Sequence, residues 1–273
     1  MYTVNSIRNI CLLGHSGSGK TALAESLLYM TGAIDRIGKN ADGNTACDYD
    51  PEEIRRHISI STSVVPLEYH NVKINLLDTP GAFDFSGAVM EALRAADAAI
   101  LVCSAKDGIT VGFEKAWKYC EDRNMPRFVY ISKVDEDNSD YNATFNALRE
   151  KYGNKIAPVV IPIWNSAHKV TGIIDVLNKR AYEMQNLKRV EIDVPADKAS
   201  VIEEFNDALK EAVIEAIGVA VKLIDLNHHQ GQHPRMGAVD VVPFIPIKGC
   251  TMDDAIALSK EVGARVAETY GLP

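Results

Sequence analysis

Short apolar runs and amphipathic stretches take turns along the first half of the chain. Apolar runs at 7–13, 63–69, 72–77, 98–103 and 127–132 predict strands, and residues 20–30, 86–96, 112–121 and 141–152 carry helical spacing. Strands alternating with helices imply an α/β fold, a mostly parallel sheet with helices on both faces. Cys11-Leu12-Leu13 and Ala98-Ala99-Ile100-Leu101-Val102 are apolar without alternation, as strands buried on both sides should be. Only the pair within 63–77, divided by His70-Asn71, reads as an antiparallel hairpin. Residues 32–60 are polar, contain glycine and follow no period, and loops that long in compact domains are commonly functional.

Composition changes this picture only a little. The 273 residues are 47% hydrophobic and 24% charged, enough to bury one large core or two modest ones. A net charge of −8 weighs against DNA binding, because a phosphate backbone is held by surplus Lys and Arg. No apolar run is long enough to cross a bilayer, and no secretion leader precedes Ile7, so no membrane partner is expected. The five cysteines, Cys11, Cys47, Cys103, Cys120 and Cys250, show no metal or redox spacing. Cys11, Cys103 and Cys120 read as small core residues, and the unpaired set fits a reducing, cytoplasmic location.

Three motifs carry chemistry. Gly14-His15-Ser16-Gly17-Ser18-Gly19-Lys20-Thr21 matches the G-x-x-x-x-G-K-[ST] phosphate loop and sits between a predicted strand and a predicted helix. Its glycines let backbone N–H groups turn inward around an anion, and the helix N-terminus adds its positive end. Lys20 should reach the β- and γ-phosphates, and the Thr21 hydroxyl should ligate Mg²⁺. Asp78-Thr79-Pro80-Gly81 ends the third strand; Asp78 can hold Mg²⁺ through water, and the Gly81 N–H can sense the γ-phosphate. Alone, D-T-P-G is a plain turn; after a phosphate loop and a hairpin it becomes a metal-side motif.

Ser132-Lys133-Val134-Asp135 ends the fifth strand. The Asp135 carboxylate can accept two hydrogen bonds from the N1–H and 2-amino group of guanine, which adenine does not supply. The Lys133 stem would lie over the base, although S-K-x-D alone reads as a solvated pair. The motifs occur in order at the ends of the first, third and fifth strands, where an open α/β sheet binds its ligand. The expected ligands are GTP or GDP with Mg²⁺.

On these residues, 1 to about 215 resemble the GTPase domain of the translational GTPases, especially elongation factor G and its elongation-factor-G-like relatives. The likeness rests on 14–21, 78–85, 95–99 and 132–135. Gly172-Ile173-Ile174-Asp175-Val176, Ala181-Tyr182 and Val194-Pro195-Ala196-Asp197 resemble the insert of that domain. The resemblance implies a P-loop NTPase fold with a GTP-binding core at 1–157 and an insert at 158–215. It places Lys20 and Gly81 at the reacting phosphate and Ser59 where the family has the switch-one Thr that closes on Mg²⁺ and the γ-phosphate. It implies a role in protein biosynthesis; without the factor's later domains, only a weak ribosome contact is expected. Three departures stand out. Ala82 replaces the His that orients the attacking water, and a methyl group cannot position water or move a proton, so hydrolysis should be slow. Ser132 replaces the usual Asn and weakens support around the base, and Gly17 replaces a common Asp.

A fifth, Ser-Ala motif has two readings. Asn165-Ser166-Ala167 follows the apolar run 158–164 and precedes Gly172-Ile173-Ile174, which could make a strand, a loop and a helix start. The resemblance instead places these residues inside the insert and leaves the motif absent.

From about 216 the likeness changes. Residues 221–226, 231–238 and 240–247 resemble the N-terminal subdomain of glutamate formimidoyltransferases, which move a formimino group between formiminoglutamate and tetrahydrofolate. That resemblance makes His233 the acid/base; read plainly, His233 and Arg235 flank a proline in a glycine-bounded loop, where a His is commonly a solvated side chain. Only part of that subdomain is matched, and a partial constellation cannot preorganise a transition state. The expected protein is therefore a truncated GTP-binding domain with slow GTP hydrolysis. The alternatives are a non-hydrolysing nucleotide module and a tetrahydrofolate-dependent transferase fragment at 216–273. A strand at 240–247 and a helix at 252–270 could complete the sheet edge, where Pro243 and Pro246 are tolerated.

Overall fold

Cys11, Leu12 and Leu13 are at most 1% exposed, as an apolar run without alternation requires, and their strand sits in the middle of a sheet. A computed structural model of the chain describes residues 2–153, 156–165, 169–185, 188–223 and 252–271. These fall into two compact units that divide between Lys151 and Tyr152.

The first unit runs β1 (Ile7–Leu13), α1 (Lys20–Met30), α2 (Pro51–Arg56), β2 (Ser63–Tyr69), β3 (Val72–Asp78), α3 (Ser86–Ala95), β4 (Ala98–Ser104), α4 (Val111–Glu121), β5 (Arg127–Ser132) and α5 (Tyr141–Tyr152). The sheet order is β2-β3-β1-β4-β5, and every pairing is parallel except β2 with β3. The hairpin turns at His70 and Asn71, both with positive φ, which fits the twist of a tight two-residue connection. The core on one side joins Leu12 of β1, Leu67 of β2 and Leu76 of β3 to Ala24 and Leu28 of α1, with Cys47 beneath them. On α4, Phe113, Ala116, Trp117 and Cys120 are buried. Cys11, Cys103 and Cys120 are core residues as expected, and Cys47 joins them; burial pushes the Cys11 and Cys103 thiols up to about 12.

The stretch 32–60 holds more order than its sequence suggests. α2 is only six residues long, too short to show a period, and a capping box starts it. Asp50 accepts from the Glu52 amide, the Glu53 side chain reaches back to the Asp50 amide, and Pro51 opens the first turn.

The second unit is an antiparallel meander of β6 (Val160–Trp164), β7 (Val170–Asp175), β8 (Arg180–Gln185) and β9 (Lys188–Ile192), followed by α6 (Ala199–Leu223) and α7 (Met252–Tyr270). Ile161, Ile163, Ile174 and Ala181 on one face of this sheet pack with Val176 and with Ile202 of α6. Here the first reading of the fifth motif is corrected. Residues 172–174 do not start a helix; they lie inside β7, paired with β6 and β8. The β-branched pair Ile173-Ile174 alternates exposed and buried, the period of a strand. Asn165 N–H donates to Lys169 O and closes the β6–β7 hairpin, while Ser166 and Ala167 lie outside the described residues.

α6 continues without a break through 215–216, where the sequence reading changes family. α7 packs on α6 through Ile214, Ile217 and Val262. The predicted strand at 240–247 and the loop carrying His233 lie outside the described residues. Among the described residues, no helix is long and apolar enough to cross a membrane.

Candidate nucleotide-binding site

The phosphate loop leaves β1 at Leu13 and enters α1 at Lys20. Gly14 is required for space: with φ of 148°, its added Cβ would lie 2.6 Å from Val102 O and 2.9 Å from Ser18 Oγ. Gly19 is required for backbone, since it caps α1 in the left-handed region with φ of 97°. Lys20 is 5% exposed, and its Nζ folds back to donate to Gly14 O (3.2 Å) and His15 O (2.9 Å). Burial lowers the Lys20 pKa, while the charges of Asp78 and Asp48 hold it up.

The metal side is a chain of oxygens. Thr21 Oγ1 donates to Asp78 Oδ2 at 2.6 Å and stands 3.4 Å from Ser59 Oγ, which in turn donates to Asp48 Oδ1 at 2.7 Å. Asp78 is 1% exposed, and its other oxygen, Oδ1, is buried without a hydrogen-bond partner. Burial pushes the Asp78 carboxyl up to about 6, with the Asp48 charge adding and the Thr21 hydrogen bond, the Lys20 charge and the nearby Cys47 thiol opposing. An orphaned buried carboxylate oxygen beside two hydroxyls and a second carboxylate suits a hard divalent cation. Among the described residues no group of three His, Cys, Asp or Glu could hold a metal. Mg²⁺ needs no such group, because it takes one or two carboxylates and fills its shell with water and substrate phosphate.

Asp78-Thr79-Pro80-Gly81 is tied to β1 by Thr79 Oγ1, which donates to Leu12 O at 2.5 Å. A Cβ on Gly81 would lie 2.5 Å from both Lys20 Nζ and the Ser16 amide nitrogen, so only glycine can pass this close to the loop. Ala82 follows in extended backbone and lines a pocket with Gly14, Pro80, Phe83, Lys115 and Tyr119. Phe83 lies between the His15 ring, 5.8 Å away, and Lys115 Nζ, 4.0 Å above its centroid.

On the base side, Ser132 ends β5 and is buried. Its Oγ donates to Ser18 O at 2.6 Å, so this hydroxyl ties the end of β5 to the phosphate loop. Lys133 takes a left-handed conformation with φ of 56°, and Asp135 is exposed in the turn beyond it. Residues 14–21, Ser59, Asp78, Gly81 and Ser132 are thus brought together. Asp48, Glu25 and Glu53 were not foreseen, because they stand in or against the unpatterned stretch and no spacing marks them.

The comparisons agree with this geometry. The family described as elongation factor Tu GTP binding domain matches residues 5–262. An elongation factor G-like protein of Mycobacterium tuberculosis is 36% identical over 209 residues, covering 77% of this chain and 28% of that protein. An elongation factor G-like protein of Synechocystis is 29% identical over 255 residues, covering 89% and 37%. A crystal structure of a Thermus thermophilus protein aligns with a TM-score of 0.73 at 39% identity, over 77% of this chain and 32% of that one. The chain therefore spans 28% and 37% of the length of these curated relatives. The family match includes residue 233 and most of 216–273, so it runs across the segment read as a transferase fragment, and the tetrahydrofolate reading gains no support.

Proposed function

The chain belongs to the elongation factor Tu GTP-binding domain family, and from that premise we propose that it binds GTP and GDP with Mg²⁺ and hydrolyses GTP slowly. The observation that carries the reading is the Thr21–Asp78 contact of 2.6 Å, with Asp78 Oδ1 left open beside it and Lys20 at the mouth of the loop. When bound, Mg²⁺ would supply positive charge against the phosphates. Thr21 and Ser59 offer hydroxyls to it, and Asp78 offers its free oxygen. Lys20 exchanges its two loop carbonyls for phosphate oxygens, and the loop amides hold the rest. Gly81 N–H faces the terminal phosphate. Asp135 accepts from the guanine edge, while Ser132 holds that end of the site to the phosphate loop. Nothing at residue 82 orients water, which is the reason for slow hydrolysis. Family membership extends the proposal to a ribosome contact. The contact is weak, because a net charge of −8 opposes approach to RNA phosphates.

The test is nucleotide discrimination by the full chain in Mg²⁺ buffer. GTP and GDP are expected to bind at least about 100-fold more tightly than ATP, since an acceptor covered by the wrong base and left unpaired discriminates strongly. Asp135→Ala is expected to remove most of that ratio. Equal affinities for GTP and ATP in the intact chain would overturn the guanine assignment.

A further inference from the structure

Glu25 sits on α1 one turn beyond Thr21 and is 1% exposed. A carboxylate that deep normally has a cation beside it. Its two oxygens are given to backbone amides: Oε2 accepts from Gly38 N at 2.7 Å and Oε1 from Ala46 N at 2.5 Å. Both amides belong to the stretch between α1 and β2. The two backbone passes it draws together run close, since a Cβ on Gly38 would lie 2.5 Å from Asn44 O and 2.6 Å from Thr45 Cα.

The rest of that stretch hangs from this point. Asp48, just past Ala46, takes Asn40 Nδ2 on one oxygen at 2.6 Å and Ser59 Oγ on the other at 2.7 Å. Glu53, 2% exposed, closes the far side by accepting from Ile60 N at 2.9 Å and Ser61 N at 3.0 Å. Asp48 and Ser59 are thus each flanked by an amide held by a buried carboxylate. Charge-assisted bonds of this kind are short and directional, so they fix the loop in one place where apolar packing would let it slide.

We propose that Glu25 is a positioning residue for the metal side of the site. It anchors the loop to α1 so that Asp48 and Ser59 stand at Thr21 and Asp78, with Glu53 holding the other end. The role rests on the reading that the site takes Mg²⁺ with a guanine nucleotide. It acts through loop position and touches neither metal nor phosphate.

The experiment measures release of a fluorescent GDP from the full chain in Mg²⁺ and in EDTA. The wild-type chain should release GDP far more slowly in Mg²⁺. Glu25→Gln keeps the side-chain volume but turns one of its two acceptors into a donor facing an N–H. It should raise the Mg²⁺-to-EDTA ratio of release rates at least tenfold while leaving the EDTA rate within about twofold, a split that general loosening of the fold would not give. A ratio within twofold of wild type overturns the inference. A wild-type chain whose release ignores Mg²⁺ overturns the nucleotide reading instead. If Glu25→Gln does not fold, Glu53→Gln is read by the same two rates and should move the ratio in the same direction. A second arm needs no variant: the amides of Gly38, Ala46, Ile60 and Ser61 should exchange more slowly with Mg²⁺ and GDP than with GDP in EDTA. Equal exchange counts against the clamp.

Discussion

Ala82 carries a methyl group, which can neither position water nor move a proton. Its backbone is extended, its methyl borders the pocket beside Phe83 and Lys115, and Gly81 before it already crowds the phosphate loop. Nothing in that geometry forbids a larger side chain reaching from residue 82, because the pocket provides room. Ala82→His is therefore expected to raise single-turnover hydrolysis of bound GTP by at least about 10-fold, a tenth of the least that a well-positioned acid–base group contributes. An unchanged rate would show that a step other than water positioning limits the reaction. Ser132 is bonded into the site: its short hydroxyl spans to Ser18 O at 2.6 Å and ties the end of β5 to the phosphate loop.

At the scale of elements, much was legible. β1, β2, β5, α1 and α5 begin and end where the pattern put them: the inner strand β1 ends in an apolar run without alternation, the edge strands β2 and β5 mix exposed and covered positions, and the two helices bury one stripe each. α4 starts one residue early, at Val111, because Thr110 caps it by accepting from Phe113 N at 3.3 Å. α2 and the anchors Glu25, Asp48 and Glu53 were not legible, since Glu25 and Glu53 hold backbone amides and Asp48 holds the side chains of Asn40 and Ser59, pairings that follow no sequence period. The last two helices carry their own prediction. Gly218 of α6 faces Tyr270 of α7, whose hydroxyl donates to Ile214 O at 3.2 Å, and a Cβ on Gly218 would overlap the Tyr270 ring. Gly218→Ala is expected to part the helices there at a cost of about 1–3 kcal/mol. Faster amide exchange in α7 would be its sign, and unchanged exchange would mean that Tyr270 moves aside freely.

At the scale of the molecule, the nucleotide loops and the metal side all belong to the first unit, within residues 14–135. GDP with Mg²⁺ at about 100 times its Kd should add about 2.7 kcal/mol to the stability of whatever it binds. Hydrogen exchange by mass spectrometry is expected to show that gain within residues 2–151. An equal gain throughout the second unit would mean that both units unfold as one body.

β1 has its neighbours far away along the chain. It pairs with β3 from Lys73 onward and with β4 from Ala98 onward, although it is itself finished at Leu13. A ribosome making about 5–20 residues per second therefore delivers the second neighbour several seconds after the strand it must flank. For that interval Cys11-Leu12-Leu13 has an edge to offer and nothing of its own chain to meet it. The central strand of this sheet is made first and is flanked on both sides only once β4 has followed it, and its birth is the moment when it most needs shelter from other chains.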